Sequence, residues 1–487
     1  MDYFHGSIDM KECKLMLQEN GDFLLRNKLN VQCNNISDNI ICVLCVGCGF
    51  PGDIKVKSIG IMQEGEHFTL QGASDQFPSV KALIDSHIES KKPVAESTIL
   101  VRAIVREKWE LLCGDIALTD VELGKGSFGT VIKGVLKKVD PPVNVAVKIM
   151  QDGISETVFN DTLNEARVMR QLDHANIIRL HGVVIEKEPL MIVIELVDGK
   201  SLSSKLKSKG IAAGFKISFV CALAYAVHYL HEKHFIHRDI AARNVLVSND
   251  FKDVKLIDFG LSKAGTSYCI QTPQKIPTKW LSPEVIQSGK FSQKSDVWSF
   301  AVTVWEIYNE GAEPYPNKKN ADVKAMLFEK KTAMAGMLDL KTCSSDEKPP
   351  PALNTVIHAA FDFDPTHRAS MEQIVTAIDN EILPKLQGAE LENCKHHQNR
   401  RTHMRKSVIE PTTTINVGSK MSQEATRVSN MAMATAPPAH HSPGPHAAAA
   451  TAAAIARTKT QTRKGYRVRI WKRSSLVFQK KEATTQQ

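Results

Sequence analysis

The chain has 487 residues, 43% of them hydrophobic and 24% charged, which suffices for two or three domains with a sizeable core. Its longest apolar run, Ile40 to Phe50, falls well short of the roughly 20 residues that cross a bilayer as a helix. The formal charge of +9 is uneven: from Leu386 onward 17 Lys and Arg face 5 Asp and Glu, so the basic character belongs to the tail.

The first residues, Met1-Asp2-Tyr3-Phe4-His5-Gly6, lack the basic start and apolar core of a signal peptide. Position 2 is not the Gly that N-myristoylation requires. A soluble cytoplasmic protein is expected, with its 10 cysteines as thiols. Cys42, Cys45 and Cys48 have a spacing that suggests zinc. Residues three apart on a strand point to opposite faces, however, and no His or fourth Cys is near in sequence, so no metal is expected there.

In chain order, Asp9 to Glu19 places Met10, Cys13 and Leu17 at helical spacing, and Phe23-Leu24-Leu25 and Ile40 to Val46 read as strands. Ser79 to Ile88 sets Val80, Leu83, Ile84 and Ile88 on one helical face. These predict an α+β module over residues 3–104. The charged segment Arg102 to Trp109 opens a linker, 105–116, and one large catalytic unit is expected over 117–384. Residues 385–487 are rich in Ala, Thr, Ser, Pro, Lys and Arg, with Pro437-Pro438 and an alanine-rich stretch, Ala447 to Ala456. Few apolar residues recur there with a period, so a disordered basic tail is expected.

The catalytic unit opens with Leu123-Gly124-Lys125-Gly126-Ser127-Phe128-Gly129-Thr130-Val131. Glycines let the backbone approach phosphates with N–H groups turned to the anion, although this pattern alone also fits a dinucleotide loop or a tight turn. Val145-Ala146-Val147-Lys148 then ends an apolar strand on a lysine, at the spacing of a phosphate-gripping lysine. Phe159, Leu163 and Ala166 mark the inward face of a helix, and Glu165 lies beside that face, placed to reach Lys148. In His237-Arg238-Asp239-Ile240-Ala241-Ala242-Arg243-Asn244, Asp239 can accept a substrate hydroxyl proton and Asn244 can bind magnesium. Lys255-Leu256-Ile257 leads into Asp258-Phe259-Gly260, whose Asp can bind magnesium bridging the phosphates.

These parts, in this order, resemble the eukaryotic protein-kinase catalytic domain. The resemblance implies a two-lobed fold with ATP in the cleft and Mg²⁺ (or Mn²⁺) as the metal. Catalytic roles fall on Lys148, Glu165, Asp239 and Arg243, and metal binding on Asn244 and Asp258. Nucleotide contacts fall on residues 123–131 and Lys148, and on Glu195 and Val197 of a hinge that follows Ile194. Ala241-Ala242-Arg243 and Ile276-Pro277-Thr278-Lys279-Trp280 resemble the tyrosine-kinase forms of these segments, so tyrosine side chains of proteins are the implied acceptors. With every chemical part intact, a catalytically silent scaffold is the lesser alternative. Tyr268, between Asp258 and Glu284, is the implied autophosphorylation site, with Arg238 as its partner. Ser282-Pro283-Glu284, Asp296 to Phe300 and Arg368 resemble the large-lobe framework, with Arg368 pairing with Glu284.

Phe4-His5-Gly6-Ser7-Ile8, a helix, and Gly21-Asp22-Phe23-Leu24-Leu25-Arg26 resemble an SH2 domain. Arg26 interrupts an apolar strand and needs an anion, which phosphotyrosine supplies. The chain departs from the SH2 pattern at Asn27-Lys28, at Met10 and at Ser58, and Lys28 and Lys57 are nearby sources of positive charge. SH2 followed by a tyrosine-kinase domain, joined through Trp109-Glu110-Leu111 and Gly114-Asp115-Ile116, is similar to the Fes/Fer group of non-receptor kinases and to its compact nematode forms. Since the SH2-like segment starts at residue 3, the coiled-coil region of the larger members is not expected. In that group SH2 contact supports the active small lobe. Lys459 to Arg473, with Tyr466, Ile470 and Trp471 interspersed, offers an acidic surface or the inner face of the plasma membrane a peripheral contact, and no nucleic-acid fold is legible.

Overall fold

The computed structural model describes residues 1–28, 39–126, 129–151, 153–208, 211, 214–270, 276–328, 338–343 and 347–401. The N-terminal module begins with α1 (Met10–Met16), where the Asp9 side chain accepts from the Glu12 N–H and so caps a free helix end. The strands are β1 (Asp22–Asn27), β2 (Ile40–Phe50), β3 (Asp53–Glu64), β4 (His67–Leu70) and β5 (Arg102–Ala103), and α2 (Val80–Ser90) lies between the last two in sequence. They form one sheet in the order β4-β3-β2-β1-β5, antiparallel except where β5 joins β1. Cys42 and Cys48 face one core, with Leu44, Leu83 and Ile84, while Cys45 faces the opposite one with Cys13 of α1. The strand's two-residue period thus separates the three cysteines.

A second sheet contains β6 (Glu110–Leu111), β7 (Ile116–Lys125), β8 (Gly129–Leu136), β9 (Val143–Met150), β10 (Leu180–Val184) and β11 (Met191–Glu195), in the order β6-β10-β11-β9-β8-β7. Against it lies α3 (Glu156–Arg170), capped by Ser155 and burying Leu163, Glu165, Ala166 and Met169. The remainder is mostly helical. It is built on α4 (Leu202–Lys207), the buried α5 (Phe215–Glu232), α6 (Pro283–Ser288), the buried α7 (Gln293–Tyr308), α8 (Asn320–Phe328), α9 (Pro351–Ala360) and α10 (Met371–Ala377). Short strands β12 (Gly199–Ser201), β13 (Phe235–Ile236), β14 (Val245–Ser248), β15 (Val254–Leu256), β16 (Lys263–Ala264), β17 (Ser267–Cys269) and β18 (Lys290–Ser292) pair within its loops.

The folded part runs past the expected boundary at 384. Residues Gly388–Arg400 form α11, which packs on α5 and buries Cys394 and His397. Asn176 Nδ2 lies 3.1 Å from His397 Nδ1, Arg400 pairs with Asp253 at 2.9 Å and Arg401 with Asp379 at 2.6 Å. A polar segment with few apolar residues folds here because Arg400 and Arg401 find fixed acids on the lobe beneath.

The N-terminal module is seated on the second sheet and α3. Gly6 has φ +64°, and a Cβ there would stand 2.1 Å from the Ile185 carbonyl oxygen, so only glycine permits the approach. The next residue, Ser7, donates its N–H to that same oxygen at 2.7 Å. Buried His5 lies 2.8 Å from Glu110 and 2.8 Å from the Ile104 carbonyl. Arg167 of α3 donates to Asp9 and to Glu12 at 2.6 Å each, and Arg170 donates to Glu12 at 2.9 Å while lying 4.3 Å over the Trp109 ring. Glu12 is only 3% exposed, so its two arginines compensate a carboxylate that water scarcely reaches.

Replacing Arg167 with Ala leaves Asp9 and half of Glu12 uncompensated, a loss on the order of 3 kcal/mol. Hydrogen exchange should speed up in residues 9–16 and 156–170 together; unchanged protection in α1 would show that this cluster does not hold the module.

Candidate active site

The cleft between the sheet and the helical lobe collects most of the residues singled out from sequence. Lys148 ends its run on β9, and its ammonium donates to Glu165 Oε2 at 2.7 Å. Burial pushes the Glu165 carboxyl above its ordinary range, Lys148 pulls it back, and the nearby Asp258 carboxylate pushes it up again. Asp258 and Glu165 converge on one point: a Cβ on Gly260 would lie 3.4 Å from the first and 3.9 Å from the second. Asp258 takes φ +67° and its side chain is exposed to the cleft. Phe259, by contrast, is buried edge-on to His237 at 5.0 Å.

Leu123, Gly124 and Lys125 close β7, and Gly129, Thr130 and Val131 open β8; Ser127 and Phe128 lie outside the described residues. Gly126 N–H donates to the Gly129 carbonyl at 2.8 Å, closing the turn. A Cβ on Gly129 would come 2.0 Å from the Ile149 carbonyl oxygen, so this strand crossing requires glycine. Glu195 ends β11 with its carboxylate already engaged, by the Arg179 N–H at 2.8 Å and by Lys255 at 3.1 Å. Any ligand contact from Glu195 is therefore left to its backbone, and Val197 follows at the entrance to the helical lobe.

Asp239 sits half-buried at the centre. Arg243 donates to its Oδ1, and Asn244 Nδ2 donates to its Oδ2 at 2.7 Å and to its carbonyl at 2.8 Å. With its nitrogen so used, Asn244 has an amide oxygen to offer a cation. Asn244 O in turn accepts from the Ile257 N–H at 2.9 Å, which fixes the backbone just before Asp258. The donors presented, a carboxylate and an amide oxygen, are the hard oxygens that Mg²⁺ and Mn²⁺ prefer. The guanidinium of Arg243 stacks 4.4 Å over Trp280, joining the loop of Asp239 to the segment after Ile276.

Tyr268 lies on β17, paired with β18 opposite Phe291. Its ring is 4.5 Å from the Arg238 guanidinium, and the Lys263 ammonium stands 5.7 Å away. Burial lowers the pKa of Arg238 and of Lys263, and each cation stands in an environment that a further anion would relieve. Arg368 forms a two-pronged pair with Glu284 at 2.8 and 2.9 Å. In the N-terminal module, Arg26 is 6% exposed, and no carboxylate pairs with it among the described residues. It donates to Cys45 Sγ at 3.3 Å and to the Asn27 carbonyl at 3.3 Å. Lys57 is occupied by Glu96.

The sequence reading placed Asp296 only in the large-lobe framework, without its role here, and did not reach Glu306 at all. Asp296 receives the His237 and Arg238 N–H groups at 2.7 and 2.9 Å. Glu306 Oε2 receives the Ala242 N–H at 3.0 Å and the Trp280 indole N–H at 2.9 Å. Both acids stand on α7, and their signal was available: a charged residue inside a run otherwise buried must have a partner. Burial pushes the Glu306 carboxyl up to about 7, against the two N–H donors.

The model of the protein tyrosine and serine/threonine kinase family matches residues 118–378. Among curated proteins, the transforming protein Fps of avian sarcoma virus, a tyrosine-protein kinase, is 35% identical over 66% of this chain and 58% of its own length. The tyrosine-protein kinase Fer of Rattus norvegicus is 31% identical over 78% of the chain and 44% of its own length. The Fer-related kinase 1 of Caenorhabditis elegans is 30% identical over 77% of the chain and 92% of its own length. The chain thus spans little more than half of the Fps protein and less than half of Fer.

Glu306 supplies a pH test. Its folded pKa, about 7, lies above the ordinary 4.5, so the stability it contributes as a neutral acid is present below about 4.5 and lost as pH rises through 7. Glu306→Gln is neutral throughout. Its stability relative to the parent should therefore rise between pH 5 and pH 8, by up to about 3 kcal/mol. Parallel pH profiles of the two proteins would contradict a buried, proton-binding Glu306.

Proposed function

The chain belongs to the protein tyrosine and serine/threonine kinase family, in the group of Fps, Fer and the nematode Fer-related kinases, and on that premise we propose that it transfers the γ-phosphate of ATP to tyrosine hydroxyls of other proteins. The observation that carries this reading is the assembled cleft: Lys148 held by Glu165 at 2.7 Å, and Asp239 held between Arg243 and Asn244. Lys148 grips the nucleotide phosphates, and Glu165 keeps its ammonium from swinging away. Residues 123–131 cover the phosphates, while the backbone of Glu195 and Val197 faces the base. Asn244 and Asp258 would hold the divalent cation, which would neutralise phosphate charge there.

Asp239 accepts the proton of the incoming hydroxyl as the oxygen attacks phosphorus. Arg243 orients that carboxylate, and through its stack on Trp280 it ties the carboxylate to the acceptor platform. That linkage favours tyrosine, whose hydroxyl stands further from its backbone than that of serine. Phosphorylation of Tyr268 places a dianion beside Arg238 and Lys263, and these ion pairs order the segment.

The N-terminal module, residues 3–104, is in this reading an SH2 domain that receives phosphotyrosine on Arg26. Support comes from the buried guanidinium without an acid partner among the described residues and from the helix-flanked sheet around it. Its salt bridges to α3 favour the position in which Glu165 meets Lys148. No described helix is long and apolar enough to cross a membrane, and we place the enzyme in the cytoplasm, with any membrane contact left to the basic tail.

Mg²⁺-ATP should phosphorylate a tyrosine peptide and not a serine/threonine peptide, and Asp239→Asn should cut the rate at least about 100-fold. Absence of transfer, even after another kinase has phosphorylated Tyr268, would favour a silent scaffold. Tyr268→Phe should abolish the rise in activity that preincubation with ATP produces; an undiminished rise would remove Tyr268 from activation.

A further inference from the structure

Asn244 and Asp258 stand at the open end of one hairpin. Asn244 immediately precedes β14 and Asp258 follows β15, and these strands pair from Val245 opposite Leu256 to Val247 opposite Val254. The loop after α3 is bonded along β15. Asn176 O accepts from the Leu256 N–H at 2.8 Å, and the Ile178 N–H donates to the Leu256 carbonyl at 3.0 Å. The Asn176 side chain adds a third bond, from Nδ2 to the Val254 carbonyl at 3.0 Å. Helix α11, beyond residue 378 where the family match ends, meets this arrangement at two points. His397 Nδ1 lies 3.1 Å from Asn176 Nδ2, and Arg400 pairs at 2.9 Å with Asp253, just before β15.

We propose that His397 is a positioning residue for the cation site: through Asn176 it fixes β15, and with β15 the spacing of Asp258 from Asn244. This rests on the reading of those two residues as cation ligands. The direction of the hydrogen bond follows from the carbonyl. Val254 O can only accept, so the Asn176 amide turns its nitrogen there, and its second hydrogen points at His397 Nδ1. His397 Nδ1 therefore holds a lone pair, and the ring proton sits on Nε2. Burial, reinforced by His396 and Arg400, pulls the His397 pKa down to about 3, so the ring stays neutral and keeps that lone pair. Asn176 and His397 are 2% and 1% exposed, and Asn176 Oδ1 has no partner among the described residues. Without an acceptor at 397 an amide hydrogen would be buried unpaired. Turning the amide over would set Oδ1 against the Val254 carbonyl oxygen.

The other contacts of α11 serve to attach it. Cys394 Sγ lies 3.6 Å from Cys221 Sγ of α5, and Gln398 and Arg401 donate to Asp379 at 2.8 and 2.6 Å. The pair of Arg400 with Asp253 is open to solvent, which screens it. His397 alone of these side chains is both buried and aimed at the residue that grips β15. A side chain that holds the strand behind a cation ligand leaves the donor atoms in place and sets their spacing. Mg²⁺ is exacting about that spacing, so a slack strand costs the metal complex more than it costs the nucleotide alone.

The test uses the full chain and a non-hydrolysable ATP analogue, adenylyl imidodiphosphate, with binding measured by calorimetry in the presence and absence of Mg²⁺. Hydrogen exchange is mapped on the same proteins by mass spectrometry. In His397→Asn a side-chain oxygen takes the place of Nδ1, whereas in His397→Gln it falls near the place of Nε2. The Gln variant should bind the Mg²⁺ complex about tenfold more weakly, bind the metal-free analogue as the parent does, and exchange faster over residues 254–258. In turnover it should lower kcat and leave the KM for a tyrosine peptide unchanged. His397→Asn should restore all of these. Equal behaviour of the Gln and Asn variants, or equal losses with and without Mg²⁺, overturns the positioning role. Faster exchange confined to residues 388–400 overturns it as well. If neither Mg²⁺ nor Mn²⁺ strengthens binding to the parent protein, the cation reading of Asn244 and Asp258 falls. Faster exchange over 254–258 in the Gln variant alone would then still uphold the link from His397 to β15.

Discussion

A lysine on a strand and a glutamate on a helix meet across the roof of the cleft, and neither can be placed without the other. Burial pushes the Glu165 carboxyl above its ordinary range, and the close ammonium of Lys148 pulls it back. A pair of that kind tolerates little drift, because a small outward turn of α3 would strand a carboxylate in apolar surroundings. The helix is therefore held from both sides. Glu165 fastens it inward, and Arg167 and Arg170 fasten it outward to Asp9 and Glu12. The N-terminal module thus contacts the very helix that carries Glu165.

The floor of the cleft follows a similar economy. One buried helix, α7, carries Asp296 and Glu306, and through them it fixes two successive stretches of the loop that bears Asp239. Glu306 also takes the Trp280 indole, so the loop of Asp239 and the segment of Trp280 share one anchor. Arg243 closes the circuit from above through its stack on Trp280. Backbone N–H groups and buried carboxylates hold this geometry more rigidly than long exposed side chains could.

What was legible in the sequence was the chemistry itself. The residue types and spacing around Lys148, Asp239 and Asp258 are constrained by phosphates and a cation, so they read as motifs, and the structure gathers them. Arrangements made only in three dimensions were invisible. Asp9, Glu12, Arg167 and Arg170 look like ordinary helical surface charges, and nothing in their spacing says that they face each other. Helix α11 was hidden for a related reason: apart from Leu391 and Cys394 it is polar, and its anchors, Asp253 and Asp379, lie far away in sequence. The anchoring roles of Asp296 and Glu306 could have been found, as lone acids in an apolar run, had burial of α7 been weighed first.

The connector between the two modules is itself made of sheet at both ends. β5 lies parallel to β1 in the first sheet, and β6 lies parallel to β10 in the second, with residues 104–109 between them. Such a segment behaves as a ruler and not as a leash. Adding one residue would push a strand out of phase with its neighbour, turning inward side chains outward. The alternative is a bulge that moves His5 away from Glu110 and α1 away from α3. The length of this short stretch thus sets the angle at which one domain addresses the other, and lineages that lengthen or shorten it would have to reinvent the junction.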